Sequence, residues 1–261
     1  MSDPLDFSRL GPLPGTRCVV VGGCGGIGRP IVKALVESGV KTAVIDLEGS
    51  LAKHPPPADV LTLPTDATSL DSVSASFEKL HQAWGGLDCM INLCGFAMDN
   101  LRIGDLPEEQ WDEVVAGNMK AAFLVSKFAA PIIEQSGGGT IVHMSSGLGS
   151  YGGKGYGTYS ASKAAVMAMT KSLAHEYGPK VRVNAVAPGA VNTDFLMGGL
   201  GRMENGVMKS RFDREDYLKR IPLGFMAEPE DMTGPILFLA GPASRYVNGQ
   251  TLHINGGALM P

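Results

Sequence analysis

A tyrosine and a lysine stand four residues apart in YSASK, at the start of a stretch with helical periodicity. Positions i and i+4 of a helix are only about 40° apart around its axis, so Tyr159 and Lys163 share one face. A nearby ammonium favours the ionised phenol, and we expect it to lower the pKa of Tyr159. A phenol tuned toward the working pH is an effective general acid and base. The pair therefore predicts a proton-transfer device.

Other polar side chains surround this pair in the sequence. Tyr151 and Tyr156 precede it in a glycine-rich loop, and we interpret them as parts of a pocket wall. A predicted strand ahead of that loop ends in Ser145 and Ser146, where a hydroxyl can hydrogen-bond an oxygen that develops charge. His143 lies in the same strand and is interpreted as a satisfied sheet residue rather than a base.

A glycine-rich loop, VVVGGCGGIGRP, follows the first predicted strand and opens the first helix. Glycines permit a tight turn and the close approach of a diphosphate, while the helix N-terminus offers free N–H groups and a positive dipole end. The letters fit both G-x-G-x-x-G and G-x-x-x-G-x-G. The loop predicts a dinucleotide site that includes Gly22, Gly25, Gly26, Ile27 and Gly28. Cys24 lies in this loop, and the helix N-terminus is expected to lower its thiol pKa and make it sensitive to oxidation.

Two acidic residues follow later strands of the chain. Asp46 ends the second predicted strand, eighteen residues beyond Gly28. A carboxylate there can accept hydrogen bonds from both ribose hydroxyls and would repel a 2′-phosphate, which favours NAD over NADP. Asp66 ends the third strand, where it could cap the next helix or contact an adenine amine.

Composition excludes several classes of protein. The formal net charge is -4 and there is no basic stripe, so we expect no nucleic-acid partner. No run of eighteen apolar residues is present, and we expect no membrane span. Four cysteines without a C-x-x-C pair indicate reduced thiols, and we expect no metal site. The N-terminus lacks an apolar signal region, which favours a cytoplasmic protein.

Strands and helices alternate along the chain, which predicts an α/β fold: a three-layer Rossmann arrangement with a seven-stranded parallel sheet. We expect one domain over residues 1–261 and a substrate lid at about 193–228, whose methionines and aromatic residues suit a partly apolar substrate. The predicted strands are 16–23, 40–46, 58–66, 87–95, 139–146, 180–189 and 250–256. The predicted helices are 27–39, 69–84, 107–135, 158–178 and 230–242.

These motifs resemble, in kind and order, those of the short-chain dehydrogenase/reductase family. The residues that carry the resemblance are VGGCGGIG (21–28), NLCG (92–95), GNMKA (117–121), MSSGLGSYGGKGYGTYSASK (144–163), VNAVAPGAVNT (183–193) and GQTLHINGG (249–257). The resemblance implies a catalytic tetrad of Asn118, Ser146, Tyr159 and Lys163. In the family, the asparagine locally distorts its helix and holds a water on a proton path through the lysine.

The resemblance also implies how a nicotinamide cofactor is held. Lys163 would bind the nicotinamide ribose, and the backbone would turn past the nicotinamide at Pro188 and Gly189. The further cofactor-binding residues that it implies are Asp66, Ala67, Asn92, Cys94, Gly95, Val191 and Thr193. The chain departs from the family pattern at Val21, Leu93, Cys94 and Asn255, where threonine, asparagine, alanine and aspartate are usual.

The sequence therefore favours an NAD-dependent oxidoreductase that transfers a hydride between nicotinamide and a secondary alcohol or ketone, with Tyr159 as general acid and base. One alternative is an NADPH-dependent 3-oxoacyl-thioester reductase, against which Asp46 speaks. Another is a catalytically silent cofactor-binding sensor, against which the intact serine, tyrosine and lysine speak. A small-molecule substrate is the expected partner, and the resemblance implies a homotetramer or homodimer.

Overall fold

The computed structural model of the chain describes residues 10–98, 101–197 and 213–261. Seven strands form one sheet of parallel strands in the order β3-β2-β1-β4-β5-β6-β7. They are β1 (Arg17–Val21), β2 (Lys41–Asp46), β3 (Leu61–Pro64), β4 (Cys89–Asn92), β5 (Gly139–Met144), β6 (Val181–Pro188) and β7 (Thr251–Ile254). The predicted fold class is confirmed.

The helices alternate with these strands. They are α1 (Gly28–Glu37), α2 (Glu48–Lys53), α3 (Leu70–Trp84), α4 (Glu108–Val115), α5 (Ala121–Gln135), α6 (Leu148–Tyr151), α7 (Gly157–Tyr177), α8 (Arg214–Lys219) and α9 (Thr233–Ala240). Local sequence explains their ends. The Ser69 side chain caps α3 by accepting from the backbone N–H of Ser72, and Gly85 ends that helix in the left-handed conformation.

The predicted long helix 107–135 is interrupted in its middle. α4 and α5 are joined by a π-helical turn, Ala116–Lys120, which contains Asn118. A π turn widens the helix by one residue and re-aims the side chains in it. The sequence predicted no break here from its periodicity, and only the family resemblance pointed to a local distortion.

Apolar side chains cover both faces of the sheet. On one face, Ile31 and Leu35 of α1 pack with residues of α9. On the other, Phe77 of α3 packs with Ile133 and Phe128 of α5, and the Phe77 and Phe128 ring centroids are 6.0 Å apart. Full burial of such side chains stabilises the fold by about 1.5–3 kcal/mol each. The two cores hold the strands rigidly, so that the loops at their carboxyl ends have fixed starting points.

Strand order determines where a ligand can bind. β1 lies beside β2 on one side and beside β4 on the other, so the chain reverses its winding direction between β1 and β4. In open α/β sheets, the crevice at such a switch point, beyond the carboxyl ends of the strands, receives ligands. The glycine-rich loop follows β1, and the NLCG turn follows β4.

The predicted lid, 193–228, is partly described. It begins with a 3₁₀ turn, Asp194–Met197, and includes α8, which no sequence pattern indicated. Residues 198–212, which include Met203, Met208 and Phe212, lie outside the described residues. Within the described ranges, no helix is both long and apolar enough to cross a membrane, and no group of three or more potential metal ligands comes together.

Candidate active site

A cleft of about 690 Å³ opens at the carboxyl ends of the strands. Three predicted site residues, Asp66, Asn92 and Asn118, are not part of its wall. The predicted residues that line it are Gly22, Gly25, Gly26, Ile27, Gly28, Asp46, Ala67, Cys94, Gly95, Ser146, Tyr159, Lys163, Pro188, Gly189, Val191 and Thr193. The structure therefore brings together residues that lie far apart in the sequence.

The glycine-rich loop presents the start of α1 to this cleft. Gly25 donates to the carbonyl of Gly22 in a tight turn, and Arg29 donates to the carbonyl of Gly25. No side chain caps the N-terminus of α1. The first N–H groups of a helix lack intrahelical partners. At the start of α1, these groups lie beside the glycine-lined part of the cleft. This arrangement suits the phosphates of a dinucleotide.

Asp46 braces the same loop from the end of β2. Its Oδ2 accepts from the backbone N–H of Cys24 over 2.9 Å, and its Oδ1 accepts from that of Leu47 over 2.8 Å. Each carboxylate oxygen can still accept a further hydrogen bond. The carboxylate thus fixes the loop and faces the cleft with a negative charge.

Cys24 corrects one expectation from the sequence. Its side chain is fully buried, and burial, followed by the charge of Asp46, raises the pKa of the Cys24 thiol to about 12. The helix N-terminus was expected to lower this pKa, but burial and the neighbouring carboxylate both disfavour the thiolate. A buried thiol with a high pKa is a poor target for oxidants.

Two other predicted cofactor residues are engaged within the protein. Asp66 is exposed, and its Oδ1 accepts from the backbone N–H and the hydroxyl of Thr68, at 2.9 and 2.7 Å. Asp66 thus closes a turn before α3, but the expected helix cap is Ser69 instead, and Ala67, not Asp66, lines the cleft. Asn92 is 2% exposed and accepts from the backbone N–H of Cys94 over 3.2 Å.

The tyrosine and lysine of YSASK meet in the cleft as predicted. The Lys163 Nζ is 5.8 Å from the centre of the Tyr159 ring. Ser146 makes a side-chain hydrogen bond with Tyr159 that favours the ionised phenol. The Phe195 ring, at the start of the predicted lid, lies 5.9 Å from the Tyr159 ring in a tilted orientation. These contacts fix the phenol with its hydroxyl beside a second hydroxyl.

Burial, however, shifts both pKa values away from the charged forms. It raises the pKa of Tyr159 to about 12, although the hydrogen bond from Ser146 opposes the shift. It lowers the pKa of Lys163 to about 8. The expected lowering of the Tyr159 pKa by Lys163 is therefore not found. The cost of moving each charge out of water is larger than the attraction between them at this spacing.

Lys163 is held by backbone carbonyls. Its Nζ donates to the carbonyl of Met144 over 3.0 Å and to that of Cys94 over 3.3 Å. These two carbonyls stand at the end of β5 and in the turn after β4. The buried ammonium is consequently a link between two strand ends as well as a neighbour of Tyr159.

Asn118 links the π turn to the same region from behind the cleft wall. Its Nδ2 donates to the carbonyls of Phe96 and Val114, both over 2.8 Å, and its Oδ1 accepts from the N–H of Phe96 over 3.1 Å. Its side-chain amide thus pairs with both backbone groups of Phe96. Asn118 thereby holds the segment after β4 in place.

A buried polar network that sequence reasoning underrated supports the turn after β4. His143 is fully buried with a ring nitrogen 3.2 Å from the Asn92 side chain and the other 3.2 Å from the Ser126 hydroxyl. Burial, followed by the charge of Lys163, lowers the pKa of His143 to about 4, so its ring is neutral at pH 7. His143 is a satisfied sheet residue, as predicted, and it orients Asn92, which in turn fixes Cys94.

Tyr217 is a cleft residue that no sequence pattern indicated. It lies on α8, and its hydroxyl accepts a hydrogen bond from the backbone N–H of Ala190 over 2.7 Å. The only signal near it is the cap at Asp213, whose side chain accepts from the N–H of Asp216 at the start of the helix. Tyr151 and Tyr156 also line the cleft, in agreement with their interpretation as wall residues.

Comparisons with known proteins agree with this geometry. The sequence profile of a family described as Enoyl-(Acyl carrier protein) reductase matches residues 22–258. A 3-oxoacyl-[acyl-carrier-protein] reductase of Thermotoga maritima is 35% identical over 255 residues, which cover 95% of this chain and 99% of that protein.

Solved structures also resemble this chain over most of its length. The structure titled ribose-5-phosphate isomerase from Brucella melitensis is 26% identical, with a TM-score of 0.88 over 97% of this chain and 95% of that one. A short-chain type dehydrogenase/reductase from Mycobacterium ulcerans is also 26% identical, with a TM-score of 0.82 over 95% and 90% of the two chains. The chain therefore belongs to the short-chain dehydrogenase/reductase family of oxidoreductases, which use a nicotinamide cofactor.

Proposed function

We propose that this protein catalyses NAD-dependent hydride transfer to or from a secondary alcohol or ketone, with Tyr159 as general acid and base. The observation that carries the proposal is the buried Tyr159 hydroxyl, bonded to Ser146 and adjacent to Lys163, at the inner wall of a dinucleotide-sized cleft. When bound, the nicotinamide supplies or accepts the hydride. The residues of this chain supply the proton and the orientation.

The residues present fit such a cofactor. The uncapped N-terminus of α1 provides N–H groups for the diphosphate. Asp46, whose carboxylate can accept from ribose hydroxyls, and Lys163 both line the cleft. Pro188, Gly189, Val191 and Thr193 also line the cleft, and the family resemblance implies that they contact the nicotinamide end.

The raised pKa of Tyr159 determines in which direction it can transfer a proton most readily. At pH 7 the Tyr159 phenol holds its proton, because its pKa is about 12. It is therefore ready to protonate an oxygen that gains charge during reduction of a carbonyl. In the opposite direction, Tyr159 must give up its proton before it can take one from an alcohol. The hydrogen bond from Ser146 favours that ionised state.

Asp46 supports NAD as the preferred cofactor. Its carboxylate lies at the end of β2, where a 2′-phosphate of NADP would have to approach it. Its two hydrogen bonds to the backbone keep it in that position. An unscreened approach of two anions in a partly buried cleft is unfavourable.

A second candidate is an NADPH-dependent 3-oxoacyl-thioester reductase. It is favoured by the Thermotoga maritima relative, which carries that reductase name at 35% identity. Both candidates use the same proton donor, and they differ in cofactor and in substrate. Assays with secondary alcohols, sugars, steroids, hydroxy acids and 3-oxoacyl thioesters, each with NAD(H) and NADP(H), separate them. Turnover with none of these would favour the cofactor-binding sensor.

We also propose that the chain forms a homotetramer or homodimer through α4 and α5. Trp111 of α4, Met119 of the π turn and Phe123 of α5 are 38%, 45% and 50% exposed. Met119 and Phe123 are four residues apart, which places them on adjacent turns. Large apolar side chains exposed together on a helix are typical of protein–protein interfaces.

Replacing Tyr159 with Phe is expected to lower turnover at least about a hundredfold, because the proton donor is lost while the ring is kept. The measurement is the rate of NADH formation or loss with any substrate identified in the screen. Binding of NADH should remain within a few-fold of the wild-type value. The control is Tyr246→Phe at a fully exposed tyrosine, which should leave both unchanged. If Tyr159→Phe retains more than a few per cent of turnover, the proposed mechanism is wrong.

Replacing Asp46 with Asn removes the charge and keeps the shape. We expect the ratio of NADP to NAD affinity to rise at least about tenfold, which corresponds to about 1.4 kcal/mol. Fluorescence titration with NADH and NADPH measures both affinities. The exposed Asp71→Asn on α3 is the matched control. A wild-type preference for NADPH would contradict the cofactor proposal directly.

Replacing Gly95 with Ala tests whether the turn after β4 positions the catalytic groups. An added Cβ would overlap the Asn118 Oδ1 and would lie 2.6 Å from the Lys163 Nζ, and the backbone φ of +148° disfavours any side chain. We expect turnover to fall more than about tenfold. Gly104→Ala, where a Cβ meets no atom within 4 Å, should have wild-type turnover. Equal activity of both variants would show that the turn has no such role.

Replacing Phe123 with Glu tests the proposed interface, since a buried unpaired charge opposes association. Light scattering should give a multiple of 27.3 kDa for the wild type and a smaller mass for Phe123→Glu. Lys33→Glu, at an exposed position of α1, should assemble like the wild type. A monomeric wild-type protein at micromolar concentration would refute the interface.

A further inference from the structure

The backbone that follows β6 is bound by the described end of the predicted lid, residues 213–228. The Ala190 N–H donates to the Tyr217 hydroxyl over 2.7 Å. Two residues later, the Asn192 N–H donates to the carbonyl of Ala227 over 2.8 Å. Residues 213–228 therefore accept hydrogen bonds from the backbone N–H groups of Ala190 and Asn192, which are two residues apart.

Val191 lies between Ala190 and Asn192. It pairs with Ala227 in a parallel bridge, which marks extended backbone. Successive N–H groups of an extended chain point to opposite sides. Because the groups of Ala190 and Asn192 point toward the lid stretch, that of Val191 points away from it. Val191 lines the cleft, so the two hydrogen bonds to the lid set the orientation of the backbone that a cofactor would meet.

Gly189 makes room for the Tyr217 hydroxyl. A Cβ built at Gly189 would lie 2.5 Å from the Tyr217 Oη and 3.2 Å from the Cβ of Asn255. Any larger residue would push the phenol away from the Ala190 N–H. The glycine is thus required by the contact with Tyr217 and not only by the turn past the cofactor.

Tyr217 is also a cleft-lining residue. Its helix, α8, has six residues, is capped by Asp213 and carries an ion pair of 2.9 Å between Asp216 and Arg220. Tyr151, Tyr217 and Arg220 line the same cleft. A short helix of this kind has little stability of its own. Its contact with Ala190 joins it directly to the cofactor-facing backbone.

We propose that Tyr217 is a positioning residue that couples α8 to the backbone 188–193, so that cofactor binding and the placement of α8 depend on each other. The proposal rests on the proposed function, because it requires a nicotinamide cofactor beside Val191. Coupling of this kind is reciprocal: the hydroxyl that orders the backbone for the cofactor also orders α8 when the cofactor is bound.

The experiment compares full-length wild type with Tyr217→Phe and with the control Tyr246→Phe. Titration with NADH, or with NADPH if the wild type prefers it, should give a dissociation constant about three- to tenfold higher for Tyr217→Phe, since one hydrogen bond is lost. Hydrogen exchange of the segment 213–221 should slow on cofactor addition in wild type and Tyr246→Phe. In Tyr217→Phe this protection should be reduced, an effect that a merely stabilising tyrosine would not produce.

Gly189→Ala provides a second, independent measurement. In the wild-type background it should weaken cofactor binding both directly and by displacing the hydroxyl. In the Tyr217→Phe background only the direct part remains, so the fold-change should be smaller. The proposal would be overturned if Gly189→Ala gave the same fold-change in both backgrounds and if Tyr217→Phe left cofactor affinity and protection unchanged. The proposed function would then remain intact. A wild-type protein that binds neither NADH nor NADPH would refute the proposed function and this coupling with it.

Discussion

The buried amino group of Lys163 is the constraint on which the rest of the site depends. The side chain is 2% exposed, and an ammonium out of water must find hydrogen-bond acceptors. It finds them in the carbonyls of Cys94 and Met144. Those carbonyls lie at the ends of neighbouring strands, so α7 can seat its lysine only if the turn after β4 and the end of β5 are correctly placed. Correct packing of these strand ends is therefore also a condition for placing Lys163 beside Tyr159.

The pKa shifts follow from that burial. The environment that holds Lys163 and Tyr159 close together also makes each of them costly to charge, so the phenol stays protonated and the pKa of the amine falls to about 8. Spacing alone predicted only the attraction between a phenolate and an ammonium. Desolvation depends on how much of the sheet, helix and lid surrounds the pair, and a spacing of four residues carries no information about it.

The difference between local spacing and contacts among distant segments also explains what could be predicted from the sequence. The period of apolar residues indicated the sheet and most helices, and the order of motifs brought the glycine loop, Ser146 and Tyr159 to one edge. Features that depend on contacts between distant segments were not predictable. The π turn at Asn118 has no signature in the periodicity, and the network of His143, Asn92 and Ser126 joins three separate elements. α8 is too short to produce a clear pattern, and the hydrogen bond between Tyr217 and the N–H of Ala190 joins segments 27 residues apart.

The departures from the family pattern in the NLCG turn can be understood from its contacts. The turn binds Lys163 through the carbonyl of Cys94, is fixed through the N–H of Cys94, and approaches Asn118 closely at Gly95. All three interactions use the backbone. The side chain of Leu93 packs against the hydrophobic core instead. Substitutions at positions 93 and 94 can therefore change the packing and the cleft wall without moving the groups that hold the lysine. Asn92 acts through its side-chain oxygen, and Gly95 acts through its lack of a Cβ.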